Sequence, residues 1–203
     1  MTDPIETQTE SEVRHADWYA DDLSGKEFVR IAFSDVDLSE TSGQGAAFTS
    51  CTFRDCRFNA AVLADSAFIN CTFTNCNFFD ALFTGCKFAG SVFSRCTFDL
   101  LKVERGDWSF VGMQRADLRR ARLVAVRMRE ADLTGVQWQD AVLTNVDLSG
   151  ATLDHADFTG SDLRGSDLSS IDPLTVQLRG AIVDPQQAVV IAQALGLDVR
   201  PFD

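Results

Sequence analysis

The residues most able to do chemistry are six cysteines, Cys51, Cys56, Cys71, Cys76, Cys86 and Cys96, every gap between them a multiple of five. Thiols at close, regular spacing are the raw material of a metal centre or a redox pair. A zinc site would need further soft ligands, but the only histidines are His15 and His155, and neither shares the cysteine register. The carboxylates come next. Asp147, Asp157, Asp162, Asp167 and Asp172 also stand at multiples of five, with Asp154 between them. Paired carboxylates perform acid–base work when a cleft perturbs them, whereas a fixed recurrence on an outer surface provides no cleft. No phosphate-cradling GxxxxGK[ST], dinucleotide GxGxxG or nucleophile GxSxG pattern occurs. No catalytic, cofactor-binding or metal-binding residue is therefore expected, and no enzyme.

The elements that must hold these residues are set by the same period. Every fifth residue from Val13 to Val183 is apolar except Gly43 and Pro173. These centres include Phe48, Phe53, Phe58, Phe68, Phe73, Phe78, Phe88, Phe93 and Phe98, and 13 of the 16 phenylalanines fall among them. Two residues before each centre runs a second series of small or branched residues, which takes in Cys51, Cys56, Cys71, Cys76 and Cys96 and later Ala116, Ala121, Val126 and Ala131. The cysteines are thus expected as small core hydrophobes. A period of five is neither that of an amphipathic helix nor that of an alternating strand, so each pentapeptide must form one short side of a coil. Residues 47–58 and 67–78 agree at seven of twelve places, an offset of 20 that makes four sides a turn. Nine of the 13 glycines lie two residues after a centre, where a corner is needed.

These features predict an all-β solenoid, a four-sided β-helix of about eight coils over 13–183, on the order of 40 Å long at one strand spacing per coil. An acidic tail over 1–12 is expected to be disordered. Residues 184–203 are expected to cap the rod: Asp184 suits an N-cap, Pro185 the first helical position and Gly196 a stop. In that helix Ala188, Ile191, Ala192 and Leu195 form a stripe to lie over the last coil. Val190, flanked by Val189, projects from the opposite, Gln-rich side, which suggests a homodimer with Val189, Val190, Ile191 and Leu195 at its interface.

Net charge is −12, which excludes direct nucleic-acid binding and an anionic membrane and favours a basic protein partner. No apolar run is long enough for a membrane span, so a cytoplasmic protein is expected. Charge is uneven: residues 151–203 hold eight acids against three bases, while Arg115, Arg119, Arg120, Arg122, Arg127 and Arg129 crowd one coil. The acidic positions admit two readings, a solvated face or a surface that a basic groove recognises.

AlaAspLeu at 116–118 and 131–133, AlaAspPhe at 156–158 and SerAspLeu at 161–163 and 166–168 resemble the signature of the pentapeptide-repeat family. That resemblance implies a right-handed quadrilateral β-helix. Within the family the ending, with IleAspPro at 171–173, ArgGlyAla at 179–181 and ValAsp at 183–184 before an Ala-rich helix, is similar to the quinolone-resistance group of MfpA and Qnr proteins. The likeness implies a C-terminal dimer that imitates duplex DNA, binds DNA gyrase or another type II topoisomerase, and protects it from quinolone-type poisons. Asp147, Asp154, Asp157, Asp162, Asp167 and Asp172 would then form the partner-binding surface. The alternative is a non-catalytic scaffold for another protein, using the outward Phe79, Leu100 and Phe110.

Overall fold

The computed structural model describes residues 11–200. The chain winds as a parallel β-solenoid of about seven turns, slightly fewer than the eight coils expected from length alone. Residues on a side pair with those 20 positions on along most of the rod, as in Phe33↔Phe53↔Phe73↔Phe93. One side carries the strands Ser11–Arg14, Ile31–Ser34, Thr52–Arg54, Thr72–Thr74 and Val92–Ser94. The side that begins around Asp22 carries six strands from Ser42–Gln44 to Val142–Thr144, and the side that begins at Glu27 carries three. The remaining side, which starts with Asp17, holds bridges but no strands: Asp17↔Asp37↔Arg57↔Asn77↔Thr97, then Asp117↔Gln137↔Asp157↔Gln177.

Strand and bridge sides differ for a local reason. Where Asp precedes a centre, its Oδ1 accepts the backbone N–H two residues on, as in Asp37 to Ser39 (2.9 Å), Asp157 to Thr159 (2.9 Å) and Asp167 to Ser169 (2.9 Å). This side-chain turn draws the chain off the strand path. At Thr52, Val62, Thr72 and Leu82, which lack that side-chain turn, three-residue strands form, although Thr97 and Thr152 make only bridges.

Every corner is made alike. From His15 (φ 50°) through Gly165 (φ 74°), each fifth residue has positive φ, glycine or not. Left-handed backbone costs a non-glycine residue on the order of 1–2 kcal/mol, which explains the glycines and the Asp and Asn at many of these positions. Ser170 and Thr175 drop out of this rule around Pro173, and His155 there bonds Thr175 with a one-residue slip.

The interior is columnar. Phe48 stacks on Phe68 and Phe68 on Phe88 at 4.6 Å, while Phe53, Phe73 and Phe93 stack at 4.7 Å within 7° of parallel. Ring separation therefore equals the strand spacing, so one backbone repeat sets both hydrogen-bond and ring contacts. Trp108 continues the Phe88 column at 4.2 Å, and Gly106 stands where neighbouring coils have Cys86 or Val126. A Cβ on Gly106 would lie 2.1 Å from the Cys86 carbonyl oxygen.

Two terminal expectations need correction. Of the tail expected over 1–12, residues 1–10 lie outside the described residues, but Ser11 and Glu12 pair with Ile31 and Ala32. Val13, as the first centre, already needs the strand that presents it inward. At the other end, Pro185–Ala194 is helical with Asp184 as N-cap in a reciprocal capping box. Gln186 and Gln193 are exposed on the Val190 side as expected, but one glutamine is not. Gln187 is buried and its Nε2 donates to the Leu163 and Ser166 carbonyl oxygens at 2.6 and 2.7 Å. The last coil has acceptors with no further coil to satisfy them, and an amide donor serves there where an aliphatic side chain cannot.

Candidate functional site

The cysteines are placed as core. Cys51, Cys56, Cys71, Cys76 and Cys86 are buried, and all six are free thiols. Their Sγ atoms approach carbonyl oxygens, as Cys56 does Phe33 at 3.5 Å. Burial pushes the Cys86 thiol up to about 11, the reverse of what a nucleophile or metal ligand needs. Among the described residues no cluster of metal-ligating side chains occurs. The nine phenylalanines Phe48, Phe53, Phe58, Phe68, Phe73, Phe78, Phe88, Phe93 and Phe98 are all buried. His15 meets Asp35 on the surface, Nδ1 to Oδ2 at 2.8 Å, and His155 is an exposed corner.

The chemistry is thus on the outside. The acidic residues of the last coils ring the rod. Asp147 and Asp167 are direct neighbours in one column below Arg127, Asp157 follows Gln137 on the strandless side, Asp162 follows Val142, and Asp154 is an exposed corner residue. Asp172 has left the ladder, and its Oδ1 caps the turn through Leu174 N–H at 2.9 Å. Each of the others that precedes a centre has one oxygen committed to its own turn. Asp162 is also forked by Arg164 at 2.9 and 2.7 Å, which holds its carboxyl below the usual range. Partial burial pushes the Asp147 carboxyl up, but Ser149 and Arg129 outweigh it and leave it below the ordinary value. Asp157 is lowered in the same way by Thr159 and Gln139 against its burial.

The arginine belt is largely spoken for. Arg119 grips Asp117, Arg120 reaches Asp99 (2.9 Å), Arg127 reaches Asp107 (3.3 Å) and Arg129 reaches Asp147 (2.5 Å). Three of these pairs run between coils, so these arginines fasten coils together, while Arg115 and Arg122 make no ion pair among the described residues. Charge counting along the sequence could not show this; the 20-residue offset, applied to Arg127 and Asp107, could have.

At the C-terminal end, Ala188, Ile191, Ala192 and Leu195 face Leu178, Ala181, Val183 and Leu197 across an apolar groove of about 340 Å³. The stripe lines this groove rather than sealing it. Ile191 is half-buried, while Val189, Val190 and Leu195 are exposed. Val190 borders a second, smaller depression with Gly165 and Leu168.

A third surface feature was not legible in the sequence. The ladder of the strandless side stops between Thr97 and Asp117, although the five-residue register continues unbroken. Cys96, Thr97, Phe98, Asp117, Gln139 and Asp140 are among the residues around the resulting cleft of about 530 Å³. Cys96, unlike the other five cysteines, is only half-buried as a consequence.

No curated protein sequence matches the chain. Among solved structures, it is similar to a trypsin-treated variant of QnrB1, a plasmid-mediated fluoroquinolone resistance protein, with 22% identity, TM-score 0.58, and coverage of 94% of this chain and 99% of that one. Full-length QnrB1 (19% identity, TM-score 0.41, coverage 92% and 98%) and HetL, a pentapeptide repeat protein involved in heterocyst differentiation regulation from the cyanobacterium Nostoc sp. strain PCC 7120 (18%, 0.33, 86% and 84%), also match. A model of pentapeptide repeats matches in eight copies over residues 44–78, 76–99, 113–150 and 139–172. With its five-residue register, four-sided coil and more than half its length matched, the chain belongs to the pentapeptide repeat family.

Proposed function

We propose that this chain is a non-enzymatic DNA mimic that binds a type II topoisomerase, DNA gyrase first, and protects it from quinolone-type poisons. The observation that carries this reading is the acidic surplus of the last coils on a slim rod whose fold is that of QnrB1, a fluoroquinolone resistance protein. A surface evolved to hold phosphates would meet carboxylates on every side of that end: Asp147 and Asp167, Asp157, Asp162, Asp172 and Asp154. Arg129 and Arg164 engage Asp147 and Asp162, and Asp154, Asp157, Asp167 and Asp172 make no ion pair among the described residues, so a negative surplus remains at that end. A homodimer through the C-terminal helix would place two such ends together, with Val189, Val190, Ile191 and Leu195 at the seam and the apolar groove filled by the second copy.

A supercoiling and cleavage assay with purified gyrase tests the reading. Added protein should inhibit supercoiling or reduce quinolone-stabilised cleavage, and replacing Asp147, Asp157 and Asp167 by Asn should weaken that effect. No effect at any concentration would reject it. A second reading, a scaffold for an unrelated partner, draws on the exposed Phe79, Leu100 and Phe110. Recovery of a non-topoisomerase partner whose binding survives the Asn replacements would favour it.

A further inference from the structure

In every intact coil of the strandless side, the N–H of the centre and that of the corner residue donate to the following coil, and the residue before the centre donates back. Phe78 donates to Thr97, Asp80 to Asp99 and Thr97 to Cys76, at 2.9 to 3.0 Å. One coil further on, the equivalent bonds are missing. Among the described residues, the amides of Phe98, Leu100 and Asp117 have no backbone acceptor, nor does that of Arg95, whose counterpart Asn75 bonds Ser94. The carbonyls that should receive them, on Cys96, Gln114, Asp117 and Arg119, lack those donors in turn. The other three sides are continuous past this level, through Val92↔Gly112, Lys102↔Arg122 and Lys87↔Asp107↔Arg127. The opening is therefore confined to one side of one coil, and among the described residues the ion pair that spans it is the exposed Arg120–Asp99.

We propose that this open side is an acceptor for an extended, basic peptide segment of a partner protein, which enters between residues 95–100 and 114–120 and supplies the missing backbone partners. Two facing lips with alternating free N–H and C=O groups match a peptide backbone, which presents both along each edge. Unpaired ladder groups are a template for an added strand, and here the rest of the coil holds them open at a fixed place. A volume of about 530 Å³ falls within the usual range for ligand sites, about 300–1,000 Å³. Polarity selects the charge. Oε1 of Gln139, which lines the cleft, is buried without a donor while its Nε2 is taken by Gln137 and Asp157. Arg119 and Arg120 are held by Asp117 and Asp99, so Asp140, exposed at the mouth, is left to meet a Lys or Arg of the incoming segment. Leu100 on one lip and Phe79 in the coil before it offer apolar contact for flanking side chains. The inference does not depend on which partner the acidic end binds.

The test is amide hydrogen exchange read residue by residue on the full chain, alone and with basic hexapeptides selected against it from a displayed random library. In the free chain the amides of Arg95, Phe98, Leu100 and Asp117 should exchange roughly tenfold or more faster than those of Asn75, Phe78, Asp80 and Thr97. Saturating peptide should slow the four and leave their counterparts unchanged. N-methylation of alternate peptide residues should abolish the protection, and Gln139→Ala should weaken peptide binding about fivefold, the loss of one hydrogen bond. Asp140→Asn, an exposed change without effect on folding, should weaken binding of basic peptides alone. The proposal is overturned if the four amides are already as protected as their counterparts, if no selected peptide slows them, or if the N-methylated peptide protects them equally.

Discussion

A buried phenylalanine in this rod touches its own kind above, below and beside it. Phe73 lies between Phe53 and Phe93 and meets Phe58, Phe68, Phe78 and Phe88 at 5.6 to 6.1 Å. Phe73→Ala should cost roughly 3–5 kcal/mol in equilibrium unfolding, because continuous ladders above and below keep the cavity from collapsing; a loss under about 1 kcal/mol would contradict that packing. The aspartates before the centres behave as turn caps first and surface charges second. Asp37, Asp107, Asp117, Asp132, Asp147, Asp157 and Asp162 all have carboxyls held below the ordinary value. For a carboxyl with a lowered folded pKa, the stabilisation is complete above the unfolded value, near about 4, and disappears as pH falls through the folded one. Thermal unfolding scans should therefore give a flat melting temperature from neutral pH down to about 4 and a fall below it. A decline that begins near neutrality would contradict this account.

At the level of elements, the C-terminal helix is fixed by a polar residue rather than by its apolar stripe. Gln187→Leu, which preserves volume but deletes the donor to Leu163 and Ser166, should loosen the helix and raise hydrogen exchange in Pro185–Ala194 without unfolding the coils. An unchanged exchange pattern would show that Ile191 and the cap suffice. The proposed dimer makes a separate demand on the same helix: replacing Val190 and Ile191 by Asp should give monomers in light scattering, and a persistent dimer would place the seam elsewhere. Sequence patterning exposed the helix, its cap and the side its stripe turns to the last coil, but not the contact of Gln187. That contact depends on which unsatisfied carbonyls the last coil presents, and those belong to Leu163 and Ser166, more than 20 residues away.

For the whole molecule, the period of five and the offset of 20 made the coil, its inward residues and its corners readable, because each coil repeats the same local decision. What could not be read is where the repetition fails physically without failing in sequence. Residues 95–100 and 114–120 keep the register, yet their backbones do not bond, since spacing specifies the direction of a side chain and not the distance between coils. The acidic end was readable as composition, but its distribution around four sides follows from the turn direction at each Asp. Repetition also means that the chain's length comes in steps. Removing residues 61–80 would join two coils whose columns already match, so the C-terminal helix would keep its heading and move one strand spacing, about 4.8 Å, toward the other end. Removing only five residues would turn that helix by a quarter revolution relative to the first coils and misalign every column across the junction. Variation by whole coils can therefore adjust the distance between the two ends of the rod without altering the direction in which either end faces.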